Sequence, residues 1–188
     1  MTTSNDIANQ AIAVIGDNLP PVTGQAPTFD NSTAGVALQR LYVAAVTAVA
    51  RAWQWDLARA IVALTLSGNA APGEWTYEYL YPGNGIEVWQ VRPQAPADPN
   101  NPLPVNWVVG NAVVGGVQTK VVWTSLQNAF ATYNNNPTEV TWDPLFREAV
   151  VKKLAADLAL GILGKPDTMQ ALFEQGMMAE QAGEGRPN

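Results

Sequence analysis

The chain has 188 residues, 47% of them hydrophobic and 14% charged, and a net charge of −6 from 16 acidic and 10 basic residues. That length suits one domain with a subdomain, and the composition is that of an ordered globular protein with a weakly charged surface. Cys and His are both absent, which excludes disulfides, zinc–sulfur sites, thiolate nucleophiles and the Ser-His-Asp triad.

Ser4 or Asn5 is expected to cap a first helix that stops at Gly16, because Ile7, Ala8, Ala11, Ile12 and Ile15 follow helical spacing. Residues 17–31 contain Pro20, Pro21 and Pro27 and read as a loop. Asn31 or Ser32 caps a long second helix with a seam of Ala34, Leu38, Leu41, Ala45, Ala48 and Ala52. Its other side carries Arg40, Thr47 and Arg51 but also Val36 and Val43, so this helix is expected to be central or to meet another subunit. Trp53 and Trp55 end the helical pattern and read as a hinge that pins two layers together.

Leu57–Leu66 fits a helix or a strand equally well. Trp75, Tyr77, Tyr79 and Tyr81 alternate with Thr76, Glu78 and Leu80 at strand period, which places Glu78 on the solvated side. Further strands are expected at 86–91, 107–109, 113–114, 118–123 and 130–133, several of them split by glycines. Pro93 to Pro104 holds five prolines and reads as an exposed loop. Asp143-Pro144 opens a helix whose apolar face is Leu145, Phe146, Ala149, Val150, Leu154, Leu158 and Ile162. Asp167 and Gln170 suggest the start of a last helix with Met169, Leu172, Phe173 and Met177. The expected fold class is α+β. It is mainly a helical bundle, residues 1–56 and 138–182, with a small antiparallel β insertion at 57–137 that includes the Pro-rich loop at 93–104. A flexible tail follows at 183–188.

Little in this pattern suggests catalysis. Glu74, Glu78 and Glu87 lie among aromatics, as in glycoside hydrolases, but solvated strand positions explain them as well. The row Trp75, Tyr77, Tyr79 and Tyr81 could stack on sugars, which makes a carbohydrate-binding module the rival from a different class; the face of a small sheet is the plainer reading. Gly110–Gly116 lacks the Lys-Ser/Thr ending of a phosphate loop, and no carboxylates fall into calcium-loop spacing. Enzyme activity, cofactors and metals are therefore not expected. The longest basic run is Lys152-Lys153, too little for tight nucleic-acid binding. No apolar run reaches the roughly 20 residues of a membrane span, and Met1–Asp6 is not a secretory signal, so no membrane partner is expected.

The order of segments is more informative than any one motif. Trp53, Trp55, Leu57, Ala58 and Arg59 are followed by Pro72, Gly73, Trp75, Tyr77, Tyr79 and Pro82. Asp143, Pro144, Phe146, Ala149, Leu154, Ala155 and Leu158 come after them. This series spans most of the chain and resembles the head-to-tail adaptor proteins of tailed bacteriophages, the tail tubular protein A-like family of short-tailed phages. The chain departs from that pattern at Gly83-Asn-Gly85, where the family often carries an acidic or polar group, and in its Pro-rich loop.

The resemblance implies a structural virion protein of the neck or tail, assembled in the host cytoplasm. It implies a homomeric ring, typically of twelve copies, that binds the portal on one side and a downstream tail or nozzle protein on the other, with DNA passing through transiently. The helices would form the ring wall. A neck adaptor of a long-tailed phage is the alternative within the same class. The residues singled out are Trp53, Trp55, Phe146 and Leu154 for the hinge and core. Val36, Val43, Trp75, Tyr77, Tyr79, Met177 and Arg186 are singled out for contact with copies or partners.

Overall fold

The computed structural model describes residues 2–16, 19–93 and 105–163. Among them are three α-helices and eight strands arranged in three antiparallel sheets. The chain is therefore β-rich, which overturns the expectation of a helical bundle with a small β insertion. The expected helix after Asp167 lies outside the described residues. The chain divides into two compact units, Met1–Leu57 with Pro137–Asn188, and Ala58–Asn136.

In the first unit, α1 (Ser4–Ile15) is capped by Thr3 rather than by Ser4 or Asn5. The Thr3 hydroxyl accepts from the Asp6 amide, and the Asp6 carboxylate accepts from the Thr3 amide, a reciprocal capping box. Gly16 ends the helix in the left-handed region at φ 73°. The proline segment is tied back to this helix. Asn9 accepts from the Val22 amide and donates to the Val22 carbonyl, while Asn5 donates to that same carbonyl. The segment contains a short hairpin, β1 (Gly24–Gln25) with β2 (Thr28–Phe29).

Helix α2 (Thr33–Ala52) starts at Ser32, whose hydroxyl accepts from the Gly35 amide. Asp30 braces this start. Hydrogen bonds from the Ser32 hydroxyl, the Thr23 amide and the Ser32 amide lower its pKa to about 2. Gly35 is required there, because a Cβ would come within 2.2 Å of the Asp30 carbonyl oxygen.

Helix α3 (Pro144–Leu163) starts at Asp143, whose carboxylate accepts from the Phe146 amide at 2.7 Å. It is the central helix, since both α1 and α2 pack on it. Phe146, Val150, Leu154, Ala155, Leu158 and Ala159 are buried along it. That arc is wider than the single apolar face expected from the sequence. By length and composition α2 also passes as a membrane-crossing helix, contrary to the absence of any such run expected above. It buries Ala34, Leu38, Tyr42, Ala45, Val46 and Val49, as the core helix of a folded unit does.

The second unit holds β3 (Arg59–Ala63), β4 (Tyr77–Leu80), β5 (Gly85–Arg92), β6 (Trp107–Val114), β7 (Val117–Thr124) and β8 (Phe130–Asn135). One sheet has the order β3-β8-β5 and the other β4-β7-β6. The ambiguous stretch after Leu57 is thus a strand, because pairing with β8 supplies hydrogen bonds that local preference could not choose. Past Ala63 the chain crosses to the other sheet. The Leu80 amide donates to Thr65, the Ser67 amide donates to Glu78, and Leu66 bridges Tyr79.

Side chains from both sheets form one core, with Val88, Val91, Ala131 and Tyr133 meeting Tyr79 and Val122. The expected fragments at 107–109 and 113–114 are one eight-residue strand that runs through Gly110. It joins β7 by a Gly115-Gly116 turn with φ of 59° and 84°, the positive pair that suits a tight hairpin.

Candidate functional site

The residues singled out for contact fall into three groups. On α2, Val36, Arg40, Val43, Ala44, Ala48 and Arg51 are exposed and, with half-buried Thr47, recur at helical spacing along one stripe. Val43 is 51% exposed. The stripe carries two arginines and no acidic residue, on a chain of net charge −6. It is apolar at its centre because the valines and small residues that would close a core face outward here. The helix buries its opposite side.

The tryptophan pair resolves unequally. Trp55 is buried, its ring stands edge-on to Phe146 with centroids 5.0 Å apart, and its Nε1 donates to the Val49 carbonyl at 2.8 Å. Trp142 meets the same Phe146 ring at 4.9 Å and donates to the Pro137 carbonyl. Trp142, which the sequence does not single out, completes this aromatic cluster, and Leu154 is fully buried further along α3. Trp53 caps α2 in an extended conformation and is half-buried. The expected pin between layers is therefore a core cluster of the helical unit built around Trp55.

The aromatic row is not an exposed platform. Tyr79 is 2% exposed and donates its hydroxyl hydrogen to the Leu126 carbonyl, and Tyr77 and Tyr81 pack against the same core. Tyr79 is therefore unavailable as a contact residue. Trp75 lies before β4 and is half-buried, lining with Glu74, Val105, Asn106, Ser125 and Leu126 a cleft of about 450 Å³. The contact residues Met177 and Arg186 lie outside the described residues.

Glu78, expected on a solvated face, is 3% exposed. Its Oε1 accepts from the Ser67 hydroxyl at 2.7 Å and from Asn69 Nδ2 at 2.9 Å, and its Oε2 accepts from Trp123 Nε1 at 2.7 Å. Burial pushes its pKa up, but the bonds from Trp123, Ser67 and Asn69 outweigh that and leave it lowered. The arrangement stores a charge in a fully engaged clasp. Asn69 also donates to the Val113 carbonyl, which ties the Ser67–Asn69 turn to β6.

The clasp was hidden in the sequence because Trp123 covers the outer face of β4. The two residues are direct cross-strand partners. A buried carboxylate needs donors, and those donors come from strand pairing, not from sequence neighbours. Among the described residues, no group of His, Asp or Glu side chains is placed to hold a metal ion. No family model matches this chain, and no curated protein sequence matches it either.

Proposed function

We propose that this protein is a structural adaptor that assembles with copies of itself into a ring between the portal and the tail of a tailed phage. The observation that carries the reading is the α2 stripe, where Val36 and Val43 stand exposed with Arg40 between them and Arg51 two turns beyond Val43. An apolar stripe with a basic margin, on an acidic chain, suits burial against another copy. The ordered series from Trp53 to Leu158 supports the same reading by resemblance. The net charge of −6 suits a passage that DNA crosses without sticking. The interior position of Tyr79 weighs against the carbohydrate-binding alternative.

The test is the mass of the full chain in solution, alone and with a purified portal ring of the same phage. The expected result is a closed ring on the portal. A chain that stays monomeric in both conditions overturns the reading.

A further inference from the structure

The outer edge of β3 is half closed. The Leu64 amide donates to the Ala129 carbonyl, and the Asn135 amide donates to the Ala58 carbonyl, so the even-numbered residues of this strand face β8. Alternation then turns the peptide groups of Ile61 and Ala63 to the opposite edge. Among the described residues, that edge is zipped to β4 only from Thr65 onward, by the Leu80–Thr65 and Ser67–Glu78 bonds. Before Thr65 the two segments part around a cleft of about 350 Å³, lined by Val62, Leu64, Tyr81, Pro82, Asn84 and Tyr133. The Tyr81 hydroxyl is buried and has no hydrogen-bond partner among the described residues. Ile61 is 53% exposed. Arg59 opens the strand, and no charged residue occurs after it from Ala60 to Gly73, so the edge past Arg59 lacks the charges that keep open strands from pairing.

The part of this edge past Arg59 carries no charge and suits an uncharged strand. In the second unit, β5 and β6 are also edge strands. Strand β5 carries Glu87 and Arg92, whereas β6 has no charge over its eight residues, with Val108 40% and Val113 64% exposed. We propose that the open edge of β3 receives β6 of a second copy, which extends the β3-β8-β5 sheet from one subunit into the next. The contact joins two different surfaces, so it repeats head to tail and closes when the rotation between copies allows. Backbone pairing supplies the affinity, as in other strand-addition complexes. This rests on the ring reading and names the strands that would join its subunits.

The chain has no cysteine, so single cysteines report the contact directly. Full-length Ile61→Cys protein is mixed with Val108→Cys or Val113→Cys protein under mild oxidation, with the portal ring present. The expected product is a disulfide-linked species of twice the chain mass that contains one of each variant. Rings that form without any crosslink from 61 to β6 overturn the strand contact and leave the ring reading standing. Absence of any assembly, with or without the portal, overturns both. Ile61→Pro removes an outward amide without touching the β8 ladder, a change that edge strands tolerate. It should weaken self-association roughly tenfold, the loss of one or two hydrogen bonds, while Ile61→Thr should not. Equal association of the two variants, with unchanged circular dichroism, overturns the proposal.

Discussion

Trp123 holds Glu78 with one end of its indole and covers Gly110 with the other. Nε1 donates to Oε2 at 2.7 Å, and a Cβ at Gly110 would come within 2.3 Å of the six-membered ring. One side chain thus covers the outer face of three strands, β4, β7 and β6, and keeps a carboxylate beneath it out of water. Replacing Glu78 with Ala strands the Trp123, Ser67 and Asn69 donors together. It should destabilise the protein by roughly 2–3 kcal/mol, read from denaturant unfolding.

The same clasp predicts acid sensitivity. The folded pKa of Glu78 is lowered from 4.5. Its contribution is therefore complete above about pH 4.5 and fades as pH falls through the folded value. Glu78→Gln should flatten the acid limb of the stability curve relative to the parent. An unchanged limb in a pH series of thermal melts would show that the carboxylate is not held as described.

Gly110→Ala forces the Trp123 ring to move, and its expected cost is about 1–3 kcal/mol. Because the displaced ring also carries the bond to Glu78, Gly110→Ala and Glu78→Ala should not add. A double-mutant cycle with strictly additive losses would separate the two features.

Trp55→Ala empties a site against Phe146 and should cost about 3–5 kcal/mol. Trp53→Ala, at a half-buried cap, should cost clearly less. Equal losses in matched melts would place Trp53 in the core instead.

Val43→Glu puts a charge in the middle of the exposed α2 stripe. The isolated chain should keep its stability within about 0.5 kcal/mol, as surface substitutions do. Ring formation on the portal should be lost. Assembly at the parent's level would remove the stripe from the subunit contact.

The mistaken assignments share a cause. The sequence reads as a helical bundle because Ala- and Leu-rich periodicity is strong over 33–52 and 144–163, while strand signals in the middle are short and broken by glycine. Gly110 reads as a break, yet it lies inside a strand because a ring from the neighbouring strand occupies the place of its side chain. Glu78 reads as solvated because alternation gives the face and not what covers it. Trp53 and Trp55 look equivalent in sequence, and only the turn after α2, with the Trp55 amide bonded to the Trp53 carbonyl, sends one inward and leaves the other at the rim.

What the sequence determined by itself is local and short-ranged. The Gly16 stop, the Ser32 and Asp143 caps and the lengths of α2 and α3 follow from side chains within a few residues of the backbone groups they satisfy. The absence of Cys and His closes whole classes of chemistry whatever the fold. Tertiary structure decided everything that depends on residues far apart in the chain. It made α3 rather than α2 the central helix, made a strand of Arg59–Ala63 within the ambiguous stretch, and buried Glu78 under a tryptophan 45 positions away. Among the described residues, it also left one edge of β3 without a paired strand. Those outcomes depend on which strands pair and what lies over them, and hydrogen bonds and burial across the sheets, not local preference, set that choice.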